Sequence, residues 1–353
     1  MAYRLGVLEC DGIGPEVVGA AVLVLEAAAA AEGLALTLEP LPVGLAAIAE
    51  HGSALPDSTI EALRRVDGWI LGPHDSQSYP PAEREKLNPS AVLRKRFDLF
   101  ANVRPARAYP GLRAVCPTMD LVIVRENTEG LYADRNMAVG SGEFMPTPDV
   151  ALMVGVVTRR ATERIARAAF ELARTRRRHV SIVHKANVLK LSHGLFREVC
   201  REVGREYPDV VLDDWHVDAM TAHLVRHGQD FDVLVAENML GDILSDLAGE
   251  LAGSLGLAGS LNAGTEVAMA QATHGSAPDI AGQGIANPIG MIASVALLLD
   301  WLGQRRREAR PIAAARRIER AIEKVLGEGS VRTPDLGGRA TTRALAEAIA
   351  AAV

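Results

Sequence analysis

Asp242 and Asp246 follow the apolar run FDVLVAEN and stand at i and i+4 of a segment with helical periodicity, so both carboxylates project from one helix face. Like charges at that spacing repel unless something positive sits between them, and Mg2+ or Mn2+ prefers carboxylate oxygen to nitrogen. Arg94, Arg104 and Arg125 flank the apolar parts of AVLRKRFDLFANVRP and DLVIVRENTEGLY, which places guanidinium groups at strand or helix ends. Such planar forks clamp carboxylates with paired hydrogen bonds. Only five lysines occur, and two of them lie in HKANVLK directly after VSIVH. A lysine can be tuned to act as a general base near neutral pH, whereas arginine cannot. Tyr132, in RENTEGLY behind Arg125, offers a phenol beside cations as a proton donor. Each type also has ordinary structural uses; it is the combination that carries weight.

The run HGSAPDIAGQGIANP, from His274 to Pro288, is polar and rich in glycine and proline, so it is expected to form a long loop suited to an adenosine moiety. Its candidate contacts are His274, Gly275, Ser276, Ala277, Asp279, Ile280 and Asn287. Asp279 could accept from a ribose 2′-hydroxyl and would repel a 2′-phosphate, which favours NAD over NADP. Other nucleotide and metal motifs fail. Gly12 and Gly14 are followed by Val17 where a dinucleotide fingerprint needs its third glycine, and no GxxxxGK[ST] loop occurs. His223 and His227 have a zinc-like spacing without the HExxH glutamate and are expected on a polar helix face.

These groups must be positioned by something. Short apolar runs (RLGVLE, WILG, DLVIV, HVSIVH, FDVLVAEN) alternate with Ala-rich helical patterns, which argues for an α/β protein with buried sheets. Pro15 marks the first turn of the first helix. Asp134 to Pro148 (DRNMAVGSGEFMPTP) carries many turn residues and suggests a protruding loop or two-stranded arm. The basic run RTRRRH, Arg174 to His179, is expected as a solvated helix end.

At 353 residues and 48% hydrophobic composition the chain exceeds the usual size of a single core, so two domains are expected. A net charge of −6 gives no surplus of positive charge for nucleic acid or anionic membranes. Cys10, Cys116 and Cys200 form no CxxC pair, which fits a reducing, cytoplasmic compartment. Neither a signal peptide nor a membrane-spanning segment is expected from the N-terminus or from the apolar stretch near Ile292 to Leu299.

In order along the chain, DGIGPEV, LRKRFDLFANVRP, VRENTEGLY, HKANVLK, VDAM, GDILSD, HGSAPDIAGQGIANP and TPDLGG make this sequence resemble the β-decarboxylating dehydrogenases: isopropylmalate, isocitrate, homoisocitrate and tartrate or D-malate dehydrogenases. The resemblance runs almost end to end. It implies a two-domain, non-Rossmann α/β fold, with 1–100 and 251–353 forming a large cofactor-binding domain. Residues 101–250 would form a small domain bearing the dimerisation arm and the metal and substrate residues. It further implies that Arg94, Arg104 and Arg125 hold the two carboxylates of a malate-type 2-hydroxy di- or tricarboxylate. Asp242 and Asp246 would bind Mg2+ or Mn2+ together with Asp218 of the partner subunit, making a homodimer with shared active sites. Lys185, also from the partner, would take the hydroxyl proton with Asp218 beside it, and Tyr132 would protonate the enolate left when CO2 departs.

Two departures from the family pattern stand out. Glu9 and Cys10 replace a usual Pro-Gly before DGIGPEV, and WILG is followed by PHDSQSYPPAEREKLNPS rather than a short glycine-rich loop. Upstream of Arg94, Asn88 and Ser90 occupy the positions expected to face the C3 substituent. Burying both against an isopropyl group would cost on the order of 1–3 kcal/mol each, so a small or polar substituent is expected. The alternatives are 3-isopropylmalate dehydrogenase proper, a non-catalytic regulatory subunit of a hetero-oligomeric dehydrogenase, and a zinc enzyme acting on a phosphorylated hydroxy amino acid. Retention of Lys185, Tyr132 and the three aspartates favours catalysis, and the lack of a suitable histidine set disfavours zinc.

Overall fold

The computed structural model describes residues 2–132, 134 and 136–353. They form two compact units, one of 1–97, 109–113 and 253–353, the other of 98–108 and 114–252. Strands β1 to β12 and helices α1 to α12 are numbered along the chain.

In the first unit β1 (Tyr3–Leu8), β2 (Leu36–Pro40) and β3 (Gly68–Leu71) join β11 (Leu261–Ala263) and β12 (Ala268–Ala270) in the order β2-β1-β3-β12-β11. All neighbours are parallel except β11 and β12. Every residue of β3 is buried, as a strand covered on both faces requires. The helices are α1 (Gly14–Ala31), α2 (Gly44–His51), α3 (Asp57–Leu63), α4 (Pro81–Arg84), α5 (Pro89–Arg96), α10 (Ile289–Arg306), α11 (Ala309–Glu328) and α12 (Thr342–Ala352). Pro15 lies in the first turn of α1, where its missing N–H costs nothing. By length and composition α1 alone among the described helices could cross a membrane; here it packs as a core helix against α10, α11 and α12. The stretch Ile292 to Leu299 lies within α10 and is largely buried.

The second unit is built on β4 (Ala101–Arg107), β5 (Asp120–Glu126), β8 (His179–His184), β9 (Val211–His216) and β10 (Val233–Ala236), in the order β4-β5-β10-β8-β9. The pair β4 and β5 is antiparallel and the others are parallel. Its helices are α6 (Arg159–Arg174), α7 (Ser192–Gly204), α8 (Val217–His227) and α9 (Asn238–Ala252). Leu121, Ile123, Val183 and Leu234 from the sheet meet Met220, Leu224, Leu244 and Ala248 from α8 and α9 in one apolar cluster. His223 and His227 both lie on α8, the former edge-on to Trp215.

The arm begins later than the composition suggests. It consists of β6 (Glu143–Thr147) and β7 (Val150–Met153), so its second strand falls beyond Pro148. Phe144, Met145, Val150, Leu152 and Met153 on it are all exposed.

The basic run corrects a second expectation. Arg176 and Arg177 are not simply solvated: they gather around Asp232, a carboxylate 1% exposed. Arg176 Nε donates to it at 2.8 Å, and the Arg177 backbone N–H at 2.8 Å. The cations are placed there because a buried carboxylate requires partners. Replacing Asp232 with alanine leaves those donors unpaired, so Asp232→Ala is expected to lower unfolding free energy by about 3–5 kcal/mol in urea titrations.

Candidate active site

The carboxylate of Glu237 accepts from the backbone N–H groups of Met239 (3.1 Å) and Leu240 (2.9 Å), capping α9 and fixing how it leaves β10. That helix turns Leu240, Leu244 and Ala248 inward, and Asp242 and Asp246 stand on its less buried side. Arg104 on β4 and Arg125 on β5 reach them. Arg104 Nη1 donates to Asp242 at 3.0 Å and to Ser245 Oγ at 2.7 Å, and approaches Asp246 at 3.5 Å. Its Nε donates to Asn102 at 2.5 Å. Arg125 pairs with Asp242 and gives its Nε and Nη2 to the Asn238 carbonyl at 2.9 and 2.7 Å. Tyr132 donates its hydroxyl to the other Asp242 oxygen, and its ring lies 5.4 Å from the Arg125 guanidinium carbon.

The electrostatics follow from burial. Desolvation, with Arg125 nearby, brings the Arg104 pKa down to about 10, and desolvation raises that of Asp246. Two arginines and two aspartates cancel. The donor set offered to a cation is two carboxylates, all oxygen, which fits Mg2+ or Mn2+ in kind but is short in number. Among the described residues no three His, Cys, Asp or Glu side chains of the one chain converge on a metal position, so Asp218 does not complete this set within the chain.

Lys185 and Asp218 pair with each other. The lysine follows β8, the aspartate lies in the first turn of α8, and Nζ to Oδ1 is 2.7 Å. The ammonium holds the Asp218 carboxyl below its ordinary pKa.

In the first unit the turn between β1 and α1 is organised by Asp11, which is buried. Its oxygens accept from Leu45 N (2.7 Å), Asp75 N (2.9 Å) and Tyr79 Oη (2.7 Å). The segment PHDSQSYPP is therefore anchored rather than loose. Cys10 adopts φ +61°, the left-handed conformation that glycine takes without penalty, which gives glycine at that position a physical reason. Burial pushes the Cys10 thiol well up, and its Sγ points at Asp11 at 3.7 Å.

The candidate cofactor loop packs on this turn. Ser276 O accepts from Ile13 N at 2.9 Å, and a Cβ on Gly12 would lie 2.1 Å from the same oxygen. Glu16 takes Gly282 N at 2.6 Å. Ala277 has φ +40° and its carbonyl accepts from Ile280 N, while Gly275 and Asp279 face solvent. His274 Nδ1 lies 3.0 Å from Gly275 O, and its buried Nε2 has no hydrogen-bond partner among the described residues. Asn287 joins this loop to Asp335 at 2.9 Å.

Arg94, in the last turn of α5, donates to Gln271 at 3.1 Å. Asn88 is the N-cap of α5: its carbonyl accepts from Ala91 N (2.8 Å) and from Ser90 Oγ (2.9 Å). His74 Nε2 lies 3.2 Å from Ser90 Oγ. Burial and Arg94 depress the His74 pKa.

The family model for isocitrate/isopropylmalate dehydrogenase matches residues 4–349. The chain is 44% identical to the isocitrate/homoisocitrate dehydrogenase of Thermus thermophilus over 100% of its length and 99% of the relative's. It is 42% identical to a 3-isopropylmalate dehydrogenase of Archaeoglobus fulgidus, covering 98% of each chain. The crystal structure of isocitrate dehydrogenase from Methylococcus capsulatus superposes with a TM-score of 0.87 at 42% identity, covering 99% of both chains. The chain belongs to the isocitrate/isopropylmalate dehydrogenase family. It is an oxidoreductase of the oxidatively decarboxylating class, with that family's α/β fold.

Sequence reasoning missed the residues that hold the arginines. Asn102 stands two residues before Arg104 on its own strand, a local signal that was available. Asn238 and Ser245 become visible only once α9 is laid on β4 and β5. Gly241 is the sharpest case: a Cβ there would lie 2.7 Å from the side chain of Arg125. Gly241→Ala should cost about 1–3 kcal/mol of stability by overpacking. Displacing Arg125 should also raise KM for the hydroxy acid at least tenfold in steady-state assays.

Proposed function

We propose that this enzyme carries out NAD-dependent and divalent-metal-dependent oxidative decarboxylation of a 3-substituted (R)-malate-type acid, giving a 2-oxo acid and CO2. The observation that carries the reading is the neutral cluster of Arg104, Arg125, Asp242 and Asp246 with Tyr132 against it. A site whose own charges cancel accepts a divalent cation and the two malate carboxylates of the substrate together, since those charges cancel as well. Arg104 and Arg125, with Arg94, bind substrate carboxylates. Asp242 and Asp246 would hold Mg2+ or Mn2+ with Asp218 of the partner subunit. When bound, NAD would supply the hydride acceptor and the divalent cation a Lewis acid for the oxidation and decarboxylation. Lys185 of the partner subunit, steadied by Asp218, takes the C2 hydroxyl proton, and Tyr132 returns a proton to C3 after CO2 leaves.

His274, Gly275, Ser276, Ala277, Asp279, Ile280 and Asn287 serve the cofactor in the first unit, and the exposed Asp279 favours NAD. A homodimer is supported by the exposed apolar arm. Three free cysteines suit a cytoplasmic enzyme.

The C3 substituent is read as polar. Asn88 commits its carbonyl to the α5 cap, so what it offers a ligand is its carboxamide N–H groups, which suit an acceptor such as the distal carboxylate of isocitrate or homoisocitrate. The names of the Thermus and Archaeoglobus relatives span both carboxylate and isopropyl substituents, so the choice falls to assay. NADH formation with Mn2+ across isocitrate, homoisocitrate, 3-isopropylmalate, D-malate and tartrate should give the highest kcat/KM for an acid with a polar C3 group. A maximum at 3-isopropylmalate would remove this assignment. Chelation should abolish turnover and Mn2+ restore it. Lys185→Ala should lower kcat by on the order of 10²–10⁴ while NAD binding, followed by calorimetry, stays unchanged.

A further inference from the structure

Two histidines with no role so far hold the main chain on either side of Lys185. His193, the second residue of α7, is buried, and its Nδ1 accepts the backbone N–H of Lys185 at 3.0 Å. His184, the last residue of β8, is also buried, and its Nδ1 accepts from Ala186 N–H at 3.1 Å. Its other nitrogen lies 2.9 Å from Asp214, whose second oxygen takes Arg201 at 2.6 Å, so the carboxylate fixes the proton on Nε2. The Lys185 carbonyl accepts from Val188 N (3.1 Å) and Leu189 N (2.9 Å). Every main-chain polar group of Lys185 is thus engaged, and its side chain leaves this fixed point for Asp218.

We infer that His193, with His184 beside it, is a positioning residue that sets the direction from which Lys185 reaches its proton. The inference rests on the reading of Lys185 as the general base. A backbone N–H in a turn can be satisfied by water at little cost. Two imidazoles buried to serve adjacent N–H groups are a larger investment than folding a turn requires. Both must be uncharged at Nδ1 to accept, and burial lowers the pKa of each, which keeps them so.

Asparagine places its carbonyl near the position of imidazole Nδ1, whereas glutamine carries its amide further out, beyond reach of Lys185 N–H. The test is therefore kcat and KM for isocitrate and NAD+ with Mn2+, in the full-length His193→Asn, His193→Gln and His193→Phe enzymes, with melting temperatures recorded. Asn should keep kcat within about threefold. Gln and Phe should lose about 10–100-fold in kcat, the scale of a misplaced catalytic group, with both KM values within threefold. Equal kcat for Asn and Gln, or an unchanged kcat for Phe, would overturn the inference. The Asn and Gln pair decides it even if the Phe variant fails to fold. Lys185→Ala run in parallel separates the two layers. If it turns over normally the base reading falls and this inference with it; if it is inactive while His193→Gln is fully active, only the positioning role falls.

Discussion

A buried guanidinium cannot shed its proton, so it must be given negative partners, and this requirement organises the second unit. Arg104 and Arg125 leave adjacent antiparallel strands, and the nearest carboxylates are those of α9. For that helix to arrive, Glu237 must cap its start, Gly241 must leave room for Arg125, and Asn102, Asn238 and Ser245 must take other N–H groups of the two arginines. The repulsion that a pair of acids four residues apart would suffer is removed by Arg104 Nη1 between them. Under the proposed function, stability and substrate recognition would draw on the same charges, because the two malate carboxylates bound with a divalent cation would meet a cluster that is already neutral.

Much of this was legible in the sequence because charge and period are local properties. The spacing of Asp242 and Asp246 placed both on one helix face, the β-branched runs marked buried strands, and Pro15 marked the start of α1. The paired arginines could be recognised as carboxylate clamps by type, but not as partners of those aspartates, since that depends on which strands lie side by side. Asn238 and Gly241 were invisible for the same reason: their roles exist only where α9 crosses β5.

The misreadings have a common physical origin. The RTRRRH run looked like a solvated helix end because the buried carboxylate that attracts it, Asp232, lies more than fifty residues away in sequence. The arm runs past the turn-rich segment 134–148 because its second strand, VALM, carries none of the turn residues that mark that segment. Asn88, expected with Ser90 to face the C3 substituent, also caps α5 through its carbonyl, which leaves its amide nitrogen to offer a ligand. Cys10, for which sequence gave no account, sits at a left-handed turn held by Asp11 through the segment that follows β3.

Under the proposed function, the neutral cluster would take a divalent cation and the two malate carboxylates of the substrate as a balanced pair. Calorimetric titration with Mn2+ in the absence and presence of saturating isocitrate tests it directly, since linkage makes the coupling reciprocal. Mn2+ affinity should rise at least tenfold when isocitrate is present, and Asp242→Asn should remove both the binding and the coupling. Equal Mn2+ affinity with and without isocitrate would contradict it.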